Sequence, residues 1–188
     1  GIEGERRDRF LDHAQAEVAR LVRLIEDLTV QSRPPLERRL QLGDVVERAE
    51  RILEATFARR TVRLQSDLPE TIVWADEDKL LQVLLNLLEN AALHGPAGAD
   101  VKVLAQHGEA GFLTVAIEDA GGGPEEVEAQ TLFEPRARAR PGSGKGSGLG
   151  LYIVRTLVER WGGRVWQEAG GAGNRFSFTV PLHPPADG

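Results

Sequence analysis

The stretch Leu84-Leu85-Asn86-Leu87-Leu88-Glu89-Asn90-Ala91-Ala92 is almost wholly apolar, yet it carries two carboxamides four residues apart. On a helix that spacing stacks both amides on one face. A helix this apolar has to be buried on most sides, so the rest of the chain must fold around it. A carboxamide oxygen can ligate a hard cation, and its nitrogen can donate to a phosphate. Two glycine-rich segments follow, Asp119-Ala120-Gly121-Gly122-Gly123 and Gly144-Lys145-Gly146-Ser147-Gly148-Leu149-Gly150. A polar helix face, an acid followed by glycines, and a glycine run, in that order, suggest a nucleotide site with a magnesium ion.

Composition removes several alternatives. A net charge of -6 argues against a nucleic-acid partner. The absence of cysteine excludes disulfides, zinc-thiolate sites and thiol catalysis. No apolar run approaches the ~20 residues needed to cross a bilayer. The 188 residues suit one domain plus an extra element. There is no methionine, even at position 1. The expectation is therefore a processed or excised piece, cytoplasmic, whose parent touches a membrane only through segments upstream.

Two organisational units are expected. In residues 1–33, Leu11, Ala14, Val18, Leu21, Ile25 and Leu28 recur in alternating steps of three and four, the seam of a coiled coil. That helix either pairs with a partner or lies as an amphipathic helix on its own domain. Arg33-Pro34-Pro35 stops it. Residues 34–188 form the second unit. A helix is expected over Leu42–Arg59, with Val45, Val46, Ala49, Ile52, Leu53 and Phe57 on its apolar side. Strands are expected at Thr61–Gln65 and Ile72–Ala75. Asp76 is placed to cap a helix that runs to His94 and ends at Gly95-Pro96. A hairpin should join Val101–Gln106 to Phe112–Glu118. A helix over Leu149–Trp161 and strands over Arg164–Gln167 and Arg175–Val180, joined by a turn at Gly170–Asn174, complete the pattern. Pro181–Gly188 reads as a frayed tail. Strands and helices mixed without strict alternation point to an α/β two-layer sandwich.

Pro124–Ser147 is a long irregular segment holding Arg136, Arg138, Arg140 and Lys145 with no acid after Glu134. A loop of this length is usually functional or disordered, and a basic one suits a cover over phosphates. The familiar nucleotide loops fail: Lys145 is followed by Gly146 where a Walker A loop needs Ser or Thr. No Rossmann glycine spacing occurs either. The glycines at 146, 148 and 150 instead allow backbone N–H groups to approach phosphate oxygens, and the helix opening near Leu149 aims its positive end at them. Asp119, at a strand end, can accept an N–H from a base.

Asn86-Leu87-Leu88-Glu89-Asn90-Ala91, Asp119-Ala120-Gly121-Gly122-Gly123, Leu132-Phe133-Glu134-Pro135 and Gly146-Ser147-Gly148-Leu149-Gly150-Leu151-Tyr152-Ile153-Val154 resemble four boxes of one family. They look like the N box, first glycine box, F box and second glycine box of the ATP-binding domain of sensor histidine kinases. That domain has a Bergerat-type fold, shared with gyrase, the ninety-kilodalton heat-shock chaperones and mismatch-repair ATPases. The resemblance implies that Asn90 ligates Mg2+ and that Asn86 assists at the metal or phosphates. It implies that Asp119 bonds the adenine amino group, that Gly121 and Gly123 line the base pocket, and that Gly146, Gly148 and Gly150 cradle the phosphates of ATP, with Ser147 and Leu149 among them. Arg136, Arg138 and Lys145 are candidates for the γ-phosphate. Hydrolytic relatives carry Glu at the position of Asn86; Asn cannot serve as that base, which favours transfer to a protein side chain over hydrolysis.

The chain departs from the family in two places. The usual Lys after Asn-Ala-x is Leu93, followed by His94, which either covers the nucleotide or simply ends the helix. None of His13, His94, His107 or His183 has the acid-and-proline context of a phosphoacceptor. Residues 1–33 instead resemble the second helix of the dimerisation hairpin. The implied function is transfer of the γ-phosphoryl of Mg-ATP to a histidine on a helix absent from this chain, for relay to a response regulator, in a parent that is a homodimer through the hairpin. An anti-sigma-type serine kinase and a non-catalytic nucleotide-binding signalling module are the alternatives.

Overall fold

In a computed structural model, the structure describes residues 36–108, 111–122, 132–134, 150–170 and 173–184. The element order is β1 (Glu37–Gln41), α1 (Leu42–Arg60), β2 (Leu64–Asp67), β3 (Ile72–Asp76), α2 (Glu77–His94), β4 (Val101–His107), β5 (Phe112–Asp119), α3 (Gly150–Arg160), β6 (Val165–Gly170) and β7 (Gly173–Pro181). The main sheet has the order β2-β4-β5-β7-β6, and β1 and β3 form a separate two-stranded ribbon. Only β2 and β4 pair in parallel; the other neighbours are antiparallel. The parallel pair is the one joined through α2, as a crossover connection requires. The helices lie on one face of the sheet, which is the expected two-layer α/β sandwich.

Helix α2 sits at the centre. Leu80, Leu81, Val83, Leu84, Leu87, Leu88, Ala91 and Ala92 are all buried. They meet Val103, Val115, Ile117, Phe176 and Phe178 in one continuous core. The cap is as expected: the Asp76 carboxylate accepts N–H bonds from Asp78 at 3.0 Å and Lys79 at 3.2 Å. That fixes where the helix begins, and therefore which of its faces turns outward further along.

The observed elements differ from the expected ones in several places. Strand β1 is not anticipated by the sequence pattern. It has a single buried apolar residue, Leu40, and is held by pairing with β3 and by the ion pair of Arg38 with Glu77. Strand β2 starts at Leu64 rather than Thr61, because Thr61 terminates α1 in the left-handed conformation (φ 54°). Its N–H donates to the Ala58 carbonyl, and that of Val62 donates to Phe57. Ile52 is 54% exposed, on the margin of a stripe centred on Val46, Ala49, Leu53 and Phe57. Pro181 is not frayed: it closes β7 opposite Phe112, and the N–H of Leu182 donates to Gly111 at 2.9 Å. Strand β6 reaches Gly170 and β7 starts at Gly173, so Gly170, Gly173 and Asn174, expected in a turn, lie in the strands. The heptad segment of residues 1–33 lies outside the described residues, as do 185–188. Among the described residues no helix is long and apolar enough to cross a membrane.

Leu84 and Ile52 give a direct check on this core. Leu84→Ala, at a fully buried position, is expected to lower unfolding free energy by about 2–5 kcal/mol in urea titration. Ile52→Ala is expected to cost under about 1 kcal/mol. Equal costs would contradict the packing.

Candidate functional site

Asn86 and Asn90 lie on the face of α2 turned away from its densest packing, and both are half-buried. Neither amide has a hydrogen-bond partner among the described residues. No buried side-chain polar atom among the described residues lacks a partner, so these amide atoms are reached by solvent and are open to a ligand. Gly150, the first residue of α3, packs against Asn86: a Cβ built on it would lie 3.2 Å from Asn86 Oδ1. The positive end of α3 therefore faces Asn86, and a side chain at residue 150 would push the amide aside.

The other end of α2 meets the end of β5. His94 is exposed and Gly95 is buried. A Cβ on Gly121 would fall 2.6 Å from Asp119 Oδ1 and 3.4 Å from both Gly95 Cα and the His94 carbonyl oxygen. Glycine at 121 is thus required by close approach rather than by an unusual φ. The segment from Asn86 to His94 spans about 12 Å of helix, with the α3 end at one limit and Asp119 at the other.

Asp119 is 7% exposed, and each of its oxygens accepts one hydrogen bond. The Gly121 N–H donates to its Oδ1 at 2.7 Å, and Asn174 Nδ2 donates to its Oδ2 at 3.3 Å. Gln167 Nε2 in turn donates to Asn174 Oδ1 at 2.7 Å. Sequence reasoning missed Asn174 and Gln167, because Asn174 falls in an expected turn. Only the β5–β7 register, with Asp119 opposite Asn174, brings them together.

Burial raises the pKa of Asp119 above its ordinary value, while the Gly121 N–H, the Asn174 amide and the charge of His94 partly offset it. Ionised Asp119 therefore costs the unliganded fold stability at pH values above its folded pKa, and this cost is absent below the ordinary aspartate pKa.

The F-box residues are anchored beside α3. Phe133 is buried and packs edge-on to Phe176 at 6.2 Å between centroids. Arg155 Nη1 reaches Glu134 at 2.8 Å and its Nε reaches Glu159 at 2.8 Å. A polar cleft of about 230 Å3 opens here, bordered by Tyr152 and Thr156. A second cavity, of about 660 Å3, lies against the β1–β3 ribbon between Arg39, Trp74, His107 and His183 and shares no residue with the Asn86–Asp119 region. Of the remaining candidates, Gly123, Arg136, Arg138, Lys145, Gly146, Ser147, Gly148 and Leu149 lie outside the described residues.

Asp119 carries a pH prediction. In the unliganded protein its carboxyl carbon should titrate, by NMR, with a midpoint above that of an ordinary aspartate. A midpoint at or below the ordinary value would show that burial does not dominate, the hydrogen bonds and nearby charge outweighing it.

Comparison with known proteins agrees with this geometry. The model of the family described as histidine kinase-, DNA gyrase B-, and HSP90-like ATPase matches residues 75–184, more than half the chain. The adaptive-response sensory kinase SasA of Synechococcus sp. (strain CC9311) is 34% identical over 153 residues, which are 77% of this chain and 39% of that protein. The chain thus spans well under half the length of this relative. The solved mycobacterial sensor histidine kinase MprB superposes with a TM-score of 0.68 at 28% identity, over 79% of this chain and 99% of that one. Histidine kinase ThkA, solved in complex with the response regulator protein TrrA, has a TM-score of 0.63 at 22% identity, over 92% of this chain and 50% of that one, and supports the fold alone. The chain belongs to the histidine kinase-, DNA gyrase B-, and HSP90-like ATPase family, whose fold carries ATP binding, and its relatives are sensor histidine kinases.

Proposed function

We propose that this chain is the ATP-binding catalytic part of a two-component sensor histidine kinase. The observation that carries the reading is the pair of half-buried carboxamides, Asn86 and Asn90, which have no partner among the described residues and lie on α2 between the Asp119–Gly121 corner and the start of α3. A nucleotide laid along this stretch of α2 places its base at Asp119 and its phosphates at the α3 end. Asp119, acceptor-only when ionised, takes the adenine amino N–H. Gly121 admits the ring, with Gly123 beside it, and His94 borders the base from the end of α2.

The donor set suits Mg2+, a hard cation that binds few protein oxygens and otherwise phosphates and water. Asn90 and Asn86 would hold it through their side-chain oxygens, and the ion would supply charge neutralisation at the phosphates. Gly146, Gly148 and Gly150, with Ser147 and Leu149, supply backbone N–H groups. Arg136, Arg138 and Lys145 supply the cationic charge that Leu93 does not.

Asn86 cannot abstract a proton from water, so the site positions a phosphoryl group for transfer rather than hydrolysis. The acceptor is a histidine outside these 188 residues, since none of the four here has the acid-and-proline setting. A response regulator receives the phosphoryl group next, by analogy with ThkA, which was solved bound to the response regulator protein TrrA. Residues 1–33 would serve as the second helix of a dimerisation hairpin, and the site would work in the cytoplasm, where Mg-ATP is supplied.

Calorimetry tests the reading. With magnesium present, Mg-ADP should bind the wild-type chain, and Asn90→Ala should weaken it at least about tenfold (~1.4 kcal/mol) without a change in melting temperature. With γ-labelled ATP, the 188-residue chain alone should take up no label, while a histidine-bearing hairpin from a sensor kinase added in trans should. Unaltered uptake of Mg-ADP by the Asn90→Ala protein, or stable label on this chain, would contradict it.

A further inference from the structure

Asp119 is the only acid in a directed line of amides that crosses the end of the sheet. Strand register places Asn174 opposite Asp119, and Gln167 opposite Phe176 one strand further out. Alternation puts all three side chains on the helix-facing side of the sheet, the side that Ile117 and Phe176 also occupy. Glu118 and Arg175, their chain neighbours, take the other face, where Arg175 pairs with Glu118 and Glu168. The line is therefore insulated from that ion-pair cluster. Among the described residues, His94 at the end of α2 is the titratable side chain whose charge acts on Asp119.

The line has one consistent polarity. An ionised carboxylate can only accept, so Asn174 must turn its nitrogen toward Asp119. Its oxygen then faces β6, where it needs a donor, and Gln167 supplies one at 2.7 Å. Asn174 is 8% exposed, so the alternative rotamer would bury an unsatisfied group against the carboxylate. Gln167 thus fixes the orientation of Asn174, and Asn174, with the Gly121 N–H, favours the ionised form of Asp119 against the effect of burial.

Resting on the nucleotide reading above, we propose that Gln167 and Asn174 are positioning residues that hold Asp119 as an acceptor-only carboxylate and so set discrimination between adenine and guanine nucleotides. Adenine presents an amino donor at the position where guanine presents a carbonyl acceptor. An ionised Asp119 attracts the first and repels the second; a protonated one can donate to guanine instead. Gln167 touches neither base nor phosphate and acts only through Asn174. Nothing in the family resemblance assigns either residue.

Two variants and two readouts test this in the 188-residue chain. Asn174→Ala removes the donor. Gln167→Glu presents an acceptor to Asn174 Oδ1, which turns the amide over and points its oxygen at Asp119. Thermal melts establish that both remain folded. In the absence of nucleotide, the Asp119 carboxyl carbon should titrate at a higher pH in both variants than in wild type: Asn174→Ala loses a hydrogen bond that favours the ionised form, and Gln167→Glu loses that bond and adds a second carboxylate nearby. With Mg-nucleotide, the ATP-over-GTP affinity ratio should fall about tenfold in Asn174→Ala, the scale of one hydrogen bond to a charged group. The acid limb of ATP binding, where affinity is lost as pH falls through the Asp119 pKa, should move to higher pH in both. Gln167→Leu, which removes the orienting donor without forcing the flip, should shift both readouts less than Gln167→Glu. An Asp119 midpoint unchanged in both Asn174→Ala and Gln167→Glu overturns the proposal, whatever nucleotide does. If the midpoints move but the wild-type chain binds no purine nucleotide, the kinase reading fails, and the specificity role falls with it.

Discussion

Helix α2 packs against α1, α3 and the sheet and buries its side chains from Leu80 to Ala92 along most of its circumference. A polar group on such a helix must find a partner inside the protein or open onto a cleft. Asn86 and Asn90 have no partner among the described residues, so the packing of α2 itself defines the cleft. The Asp76 cap sets the start of the helix, the core sets its rotation, and together they determine that Asn86 faces the start of α3, with Asn90 one turn further along the same face. The site is a consequence of how the core is filled rather than an addition to it.

The Asp119 corner is organised by a different balance. Burying a carboxylate raises the free energy of its charged form, and here two hydrogen bonds, from Gly121 and Asn174, only partly offset that cost. The glycine corner and the end of α2 lie close against the carboxylate, since a Cβ on Gly121 would fall 2.6 Å from Asp119 Oδ1 and one on Gly95 3.5 Å from Asp119 Cβ. A Cβ on Gly173 would overlap the Asp119 carbonyl oxygen, so β7 too is drawn tightly onto this corner. A group held at a stability cost is poised to gain from a ligand donor. That couples the sheet end to binding in a way the amide pair does not.

Much of this is legible in the sequence. The apolar run around Asn86, the Asp76 cap and the Gly95-Pro96 stop determine α2 by local rules, and the acid-then-glycine order places Asp119 at a strand end. Other features depend on long-range geometry. Strand β1 carries almost no hydrophobic signal and is created by its pairing with β3. Thr61 reads locally as strand because its left-handed cap depends on how α1 ends. Ile52 has helical spacing but sits at the stripe margin, a matter of a few tens of degrees. Gln167 and Asn174 become neighbours of Asp119 only through register across three strands, which no local pattern encodes. The basic residues 136–145 and the glycines 146 and 148 lie outside the described residues, so their part in the site rests on the sequence alone.

The central claim is that nucleotide lies along α2 between Asn86 and Asp119, and not in the larger cavity by Trp74 and His107. Backbone amide shift mapping of the 15N-labelled chain titrated with Mg-ATP tests it most directly. The account predicts large shifts at Asn86, Asn90, Gly95, Asp119, Gly121 and Gly150, with Arg39, Trp74, His107 and His183 unmoved. Shifts concentrated on the second set, with the α2 face silent, would contradict it.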